Sequence, residues 1–282
     1  MYWRSQFMGR QVSIEDIYKT LYEPLPDSGK YLERIGMAPN QKPDKDTLGR
    51  LVVSHQRSVP FENLDVYDVG ADLLLGVESL YDKVVLRRRG GYCYELNGAF
   101  IALLKSLGYE CFSVAARVVQ NRTCVMPLSH RGTIVTIDGT RYFCDVGFGG
   151  PSAQGALLLD ETGPQPSGPN VFVIEKGERD IVINRLNGGK KEPILAFMDM
   201  PVDPVDFLAL NEYSSKSKNS MFTSARICNL VTETGSITLS GNILKIHSGG
   251  STLEKTLKTE KELRAALKEN YGIEVDFPLK GF

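Results

Sequence analysis

Apolar positions recur at helical spacing most clearly from Leu96, where Leu96, Ala99, Phe100, Leu103, Leu104 and Leu107 mark one face. This i, i+3, i+4, i+7 pattern predicts a helix, and Gly108 stands where a C-terminal stop is expected. Gly90 and Gly91 break the chain just ahead of it. Cys93 then falls in the first turn, on the same side as Leu96 and Phe100. Upstream, Ile14 to Tyr22 and Lys30 to Ile35 read as short helical segments interrupted by Pro24, Pro26 and Gly29. Asp46 or Thr47 is expected to cap the next helix, which carries Leu48, Leu51, Val52 and His55 on one face and ends at Pro60. Leu73 to Leu86 has mixed spacing and reads as helix and loop.

After Gly108 the period changes from helical to alternating. Tyr109 to Gln120, Cys124 to Ile137 and Thr140 to Phe148 are rich in Val, Ile, Tyr, Phe and Thr, the vocabulary of strands. Val171 to Ile174 and Asp180 to Leu186 extend the series, so the middle third predicts an antiparallel sheet or barrel. Pro201 and Pro204 mark a linker, followed by a short helix over Val205 to Tyr213. The last third reads strand, strand, strand, helix: Ile227 to Thr232, Ser236 to Ser240, Ile243 to His247, then Leu257 to Tyr271.

Composition narrows the function more than the fold. The chain has 282 residues, 42% hydrophobic and 24% charged, with a formal net charge of -1. That describes an ordinary globular protein with nothing global to draw it to nucleic acid or a membrane surface. No stretch approaches the eighteen or so apolar residues of a membrane span, and the leading MYWRSQFMGRQ lacks the apolar core of a signal peptide. Five cysteines, at 93, 111, 124, 144 and 228, form no CxxC pair. This argues against a disulfide framework and a zinc knuckle, and makes the cytoplasm the expected compartment, with no metal.

A thiol at a helix N-terminus feels unpaired N–H groups and the positive end of the dipole, both of which favour the thiolate. Arg88 and Arg89 are expected to add positive charge nearby. A base for Cys93 must come from three histidines. His247 lies at a strand end and His55 on a helix face, both positions that suit a structural role. His130 is different because Asp138-Gly139, between Thr133–Ile137 and Thr140–Cys144, signals a two-residue type I′ hairpin. In that register paired positions sum to 277, so His130 faces Gly147 and Asp145 faces Gly132. Asp145 and His130 then share a face as diagonal neighbours, about 7–8 Å apart at the backbone. Gly132 is expected to leave room for Asp145 to lean across. Cysteine, histidine and a tautomer-fixing third member form a nucleophilic triad. On these grounds alone Asn63 or Asn97 would serve as the third member as well as Asp145.

Several motifs in order resemble the arylamine N-acetyltransferases: Tyr31-Leu32-Glu33-Arg34-Ile35-Gly36, Val59-Pro60-Phe61-Glu62-Asn63-Leu64, Arg89-Gly90-Gly91-Tyr92-Cys93-Tyr94-Glu95-Leu96-Asn97, His130, and Asp145-Val146-Gly147-Phe148-Gly149-Gly150, with a weaker echo in Ser220 to Ser224. The resemblance implies an α+β fold in three parts with a cysteine-protease-like core. These are a helical bundle (1–108), a β-barrel (109–200), and a linker helix with an α/β lid (201–282). It implies the triad Cys93, His130 and Asp145, and a two-step acetyl transfer from acetyl-CoA to an aromatic amine, hydrazine or N-hydroxyarylamine. Phe148 resembles the aromatic contact for the acceptor ring, Gly149 a backbone approach to substrate, and Ser217 and Thr223 the CoA contacts of the lid. The backbone at Cys93 or around Ser129 is the expected oxyanion donor.

The chain departs from the family pattern at Lys216, Lys218 and Arg131. The lysines are expected at the surface, and Arg131 is expected to face away from His130 and apart from the chemistry. Competing readings are an amide synthase, a transferase for a bulkier acyl-CoA, a papain- or transglutaminase-like cysteine hydrolase, and a binding module without catalysis.

Overall fold

The computed structural model describes residues 14–282; the reading of the N-terminal leader falls outside the described residues. Helix α1 (Ile14–Thr20) lies at the surface, and α2 (Ser28–Arg34), α3 (Lys45–Ser58) and α4 (Val77–Tyr81) share a core with α5 (Cys93–Ser106). Leu48, Leu51, Val52 and His55 of α3 are all buried, as the spacing predicts. The cap of α3 comes two or three residues earlier than expected: Asp44 accepts from the Thr47 N–H at 2.8 Å. The mixed spacing of Leu73 to Leu86 resolves into α4 followed by a π-helical turn over Asp82–Leu86.

The hairpin forms as predicted. Strands β2 (Glu110–Val118), β3 (His130–Ile137) and β4 (Thr140–Cys144) are antiparallel, and Ile137↔Thr140 through Thr133↔Cys144 keep the expected register. Both turn residues have positive φ, 49° at Asp138 and 75° at Gly139, as a type I′ turn requires. Strand β4 ends at Cys144 rather than Phe148, because the Asp145 carboxylate accepts the Gly147 N–H at 2.9 Å and turns the chain out of the ladder. With β5 (Leu157–Leu158), β6 (Gln165–Ser167), β7 (Asn170–Lys176), β8 (Ile181–Asn187) and β9 (Lys190–Phe197), these strands make an eight-stranded sheet curled into a nearly closed barrel. Inside it pack Val114, Ala116, Ile134, Phe143, Phe172 and Phe197. The other face of β2 and β3 packs on α5, so one sheet separates two cores.

Helices α6 (Phe207–Lys216) and α7 (Met221–Ser224) lead to a second sheet of β10 (Ile227–Val231), β11 (Gly235–Ser240), β12 (Ile243–Ser248) and β13 (Ser251–Thr256), covered by α8 (Glu260–Tyr271). Its remaining strand is β1 (Phe61–Glu62), which pairs with β10 through Phe61↔Asn229 and Glu62↔Cys228. Arg226 ties this sheet down. Its guanidinium is buried against the Asp68 carboxylate, with Nε to Oδ2 at 3.0 Å, and also donates to the Lys280 carbonyl at 2.8 Å. Arg226→Met would strand the Asp68 charge out of water. We expect it to cost about 3–5 kcal/mol in urea unfolding; a loss under about 1 kcal/mol would mean that the pair is not what anchors the sheet.

Candidate active site

The start of α5 is held from below by buried charges. Glu95 accepts the Tyr92 N–H at 3.1 Å with one oxygen and the Lys83 ammonium at 2.7 Å with the other. Lys83 also meets Asp65 at 2.7 Å, and Arg89 joins Asp65 at 2.9 Å to Glu62 at 2.7 Å. The positive charge expected from the two arginines is therefore not delivered to the thiol. Arg89 is neutralised by carboxylates and Arg88 is exposed. The glycines ahead of the helix are required by a close approach instead. A Cβ on Gly90 would lie 1.9 Å from the Pro60 carbonyl oxygen, and the Glu62 N–H donates to the Gly91 carbonyl at 2.9 Å. Two motifs thirty residues apart in the chain are thus one packed unit.

Cys93 is the first residue of α5 and is buried, its Sγ directed at the Ser129 carbonyl oxygen at 3.7 Å. His130 opens β3 and is equally buried. Its Nε2 lies 2.6 Å from Asp145 Oδ2, and the Cys93 side chain is close enough to act on the charge of the ring. Burial alone would depress the imidazolium. The Asp145 charge and hydrogen bond, with Cys93 behind them, outweigh it and raise the His130 pKa to about 10. A raised pKa stabilises the folded state fully below the unfolded histidine value near 6.5, and this contribution is lost as pH rises toward about 10. The stability advantage of wild type over His130→Gln should therefore shrink between pH 6.5 and 10 in urea titrations. An advantage that grows over that window would contradict the assignment.

Asp145 is set by Asn97. The Asn97 amide donates to Asp145 Oδ1 at 2.9 Å and to the Arg131 carbonyl at 2.6 Å, and its own oxygen accepts the Val146 N–H at 3.0 Å. The asparagine weighed as a third member thus holds the carboxylate that contacts the histidine. Asn63 works elsewhere, donating to the Phe222 and Ala225 carbonyls at 2.8 Å each. The space at Gly132 is not what lets Asp145 reach across: a Cβ there would meet the Phe143 ring at 2.6 Å. Gln56 was not singled out by any pattern, yet its buried amide clamps the loop after β4, donating to the Asp145 carbonyl at 2.9 Å and the Ala153 carbonyl at 2.8 Å.

The ring of Phe148 stands edge-on to His130, with centroids 5.5 Å apart. It lines a cleft of about 390 Å³ with Phe61, Val146, Gly149 and, from the second sheet, Asn229 and Thr238. Ser129 contributes its carbonyl to the sulfur, but its N–H is spent on the Ala116 carbonyl at 3.0 Å, so that N–H is not free to meet an oxyanion. Ser217 caps the end of α6 and Thr223 lies in α7, where its hydroxyl donates to the Ser217 carbonyl at 2.8 Å. Helix α7 reaches the start of α5 through Phe222, whose ring meets Tyr92 at 5.1 Å. Lys216 pairs with Asp72 at 2.6 Å, and Lys218 is exposed. His55 is a core residue bonded to the Tyr31 hydroxyl at 2.9 Å, its pKa pulled down to about 3 by burial. Arg131 does face away from His130, but it is buried against α5 rather than turned to solvent.

The family described as N-acetyltransferase matches residues 44–280. The arylamine N-acetyltransferase of Mycolicibacterium smegmatis is 32% identical over 255 residues, 88% of this chain and 92% of its own. Arylamine N-acetyltransferase 1 of Homo sapiens is 30% identical, with 88% and 94% covered. Among solved structures, the Mycobacterium marinum arylamine N-acetyltransferase in complex with CoA superposes with a TM-score of 0.80 at 29% identity, over 88% of this chain and 93% of that one. The chain belongs to the arylamine N-acetyltransferase family of acyltransferases and has its α+β fold. No helix among the described residues is long and apolar enough to cross a membrane.

Proposed function

We propose that this protein moves an acetyl group from acetyl-CoA to the nitrogen of an arylamine, arylhydrazine or N-hydroxyarylamine through a thioester on Cys93. The observation that carries this reading is the buried cluster of Cys93, His130 and Asp145, in which His130 is bonded to Asp145 and the Cys93 sulfur points at the carbonyl of Ser129, the residue before His130. The Cys93 thiolate attacks the thioester carbonyl of the donor. The tetrahedral intermediate collapses with loss of the CoA thiolate, which takes the proton held by His130. The amine then attacks the acetyl-Cys93 carbonyl, His130 accepts its proton, and the sulfur leaves as thiolate. A thioester suits a weak nitrogen nucleophile because the leaving thiolate is good and the amide formed is stable. Asp145 keeps the His130 proton on Nε2, leaving Nδ1 for the sulfur. The developing oxyanion meets N–H groups at the start of α5, which have no helical carbonyl to bond.

Phe148 and Gly149 border the cleft on the acceptor side, and an aromatic ring there would stack or pack edge-on against Phe148. Ser217 at the end of α6 and Thr223 in α7, joined by a hydrogen bond, are assigned to the CoA side. The CoA complex of the M. marinum relative supports the donor. Mixing with acetyl-CoA alone should release one equivalent of CoA and stop, and adding p-aminosalicylate or isoniazid should restart release until the donor is consumed. Continuous release without amine would support a hydrolase. A panel of acyl-CoA donors against one arylamine fixes the acyl group; a bulkier donor turned over faster than acetyl-CoA would overturn the acetyl assignment.

A further inference from the structure

Arg131 is buried, 3% exposed, with no carboxylate against it among the described residues. Its Nε donates to Ser113 Oγ at 3.0 Å and its Nη1 to the Tyr94 carbonyl at 3.5 Å, and its guanidinium carbon lies 4.6 Å from the centre of the Phe207 ring. A cation taken out of water without a countercharge costs several kcal/mol, so an anion within reach would relieve it. Tyr94 follows Cys93 in the first turn of α5, and Gly98 one turn on leaves the space that the guanidinium fills: a Cβ there would lie 2.9 Å from Nη1. The fold therefore sets a buried positive charge against the backbone of α5 at Tyr94 and Gly98, beginning at the residue next to Cys93, from the face of β3 opposite His130.

We propose that Arg131 is a positioning residue that acts through charge: it is the fixed countercharge to the Cys93 thiolate, favouring the ionised sulfur before attack and again when the sulfur leaves acetyl-Cys93. The proposal rests on the reading of Cys93 and His130 as the reacting pair. Other groups facing the site do not supply this charge. Lys83 and Arg89 are spent on Glu62, Asp65 and Glu95, and Asp145 is negative. Tyr92 and Tyr94 are pushed far up by burial and stay neutral. Burial lowers the Arg131 pKa to about 10, and Cys93 is the charge that pulls it back. His130 is charged only while it holds the proton it must later surrender, whereas Arg131 remains charged through both half-reactions.

The test is the pH dependence of Cys93 alkylation by iodoacetamide, read by mass spectrometry on folded protein, for wild type, Arg131→Met, Arg131→Gln and Arg131→Lys. The pH of half-maximal rate should rise by about one unit in the two neutral variants, roughly a tenfold slower reaction on the acid side, and stay near wild type in Arg131→Lys. Neutral variants that fold and keep the wild-type profile would overturn the proposal. Should neither fold, His130→Ala decides: an anionic methanethiosulfonate should still label Cys93 several-fold faster than a cationic one, and equal or reversed rates would overturn it. A wild-type thiol no more reactive than that of His130→Ala would instead sink the underlying reading of the pair.

Discussion

Asp145→Asn is expected to lower the rate of acetyl transfer by about four orders of magnitude while leaving the protein folded. The direction follows from the partners of each carboxylate oxygen. Oδ1 accepts two N–H groups, from Asn97 and Gly147, each at 2.9 Å. An asparagine must place its carbonyl oxygen there, because its amide would set donors against donors. Its NH2 then faces Nε2 of His130, now 2.6 Å from Oδ2, and can only donate to it. The imidazole proton is driven onto Nδ1, the nitrogen left for the sulfur, and the base can no longer accept from the thiol. The same variant loses the negative charge that raises the His130 pKa, so both effects act together. Steady-state turnover with acetyl-CoA and an arylamine, alongside iodoacetamide labelling, measures it. Retention of a tenth or more of wild-type turnover would show that the carboxylate does not set the tautomer.

Gly147→Ala is expected to cost about a hundredfold in turnover, through placement and not chemistry. A Cβ at Gly147 would stand 2.9 Å from Cys93 Cα and 2.8 Å from Asn97 Nδ2. The first contact is backbone inside a helix and cannot swing aside, so the loop or the start of α5 must shift. Either movement separates the sulfur from the imidazole or detaches Asn97 from Asp145. Unfolding should fall more modestly, by about 1–3 kcal/mol for an overpacked site. A variant that loses stability but keeps wild-type turnover would show that the spacing of loop and helix is not critical to the reaction.

The local parts of this arrangement were legible because each rests on short-range rules. The Leu96 to Leu107 stripe marked α5, and Asp138-Gly139 settled a register that carries His130 and Asp145 toward one another. What was hidden depends on distant partners. Strand β9 begins Lys190-Lys191-Glu192-Pro193, a charged start with a proline that only the bulge opposite Ile183 and Asn184 accommodates. Strand β13, Ser251 to Thr256, is an exposed edge with no apolar alternation to betray it. The role of Asn97 needed knowledge that Asp145 turns out of β4. The place of Arg131 needed the packing of β3 on α5, since opposite faces of a strand can both be buried when each covers a core.

The most direct test of the account is the mass of the protein after brief mixing with acetyl-CoA. It predicts a gain of one acetyl group, mapped by peptide digestion to Cys93, absent in Cys93→Ala, and removed when an arylamine is added with stoichiometric formation of the acetylated amine. An unmodified Cys93 during turnover, or an acetyl group that the amine cannot remove, would contradict it.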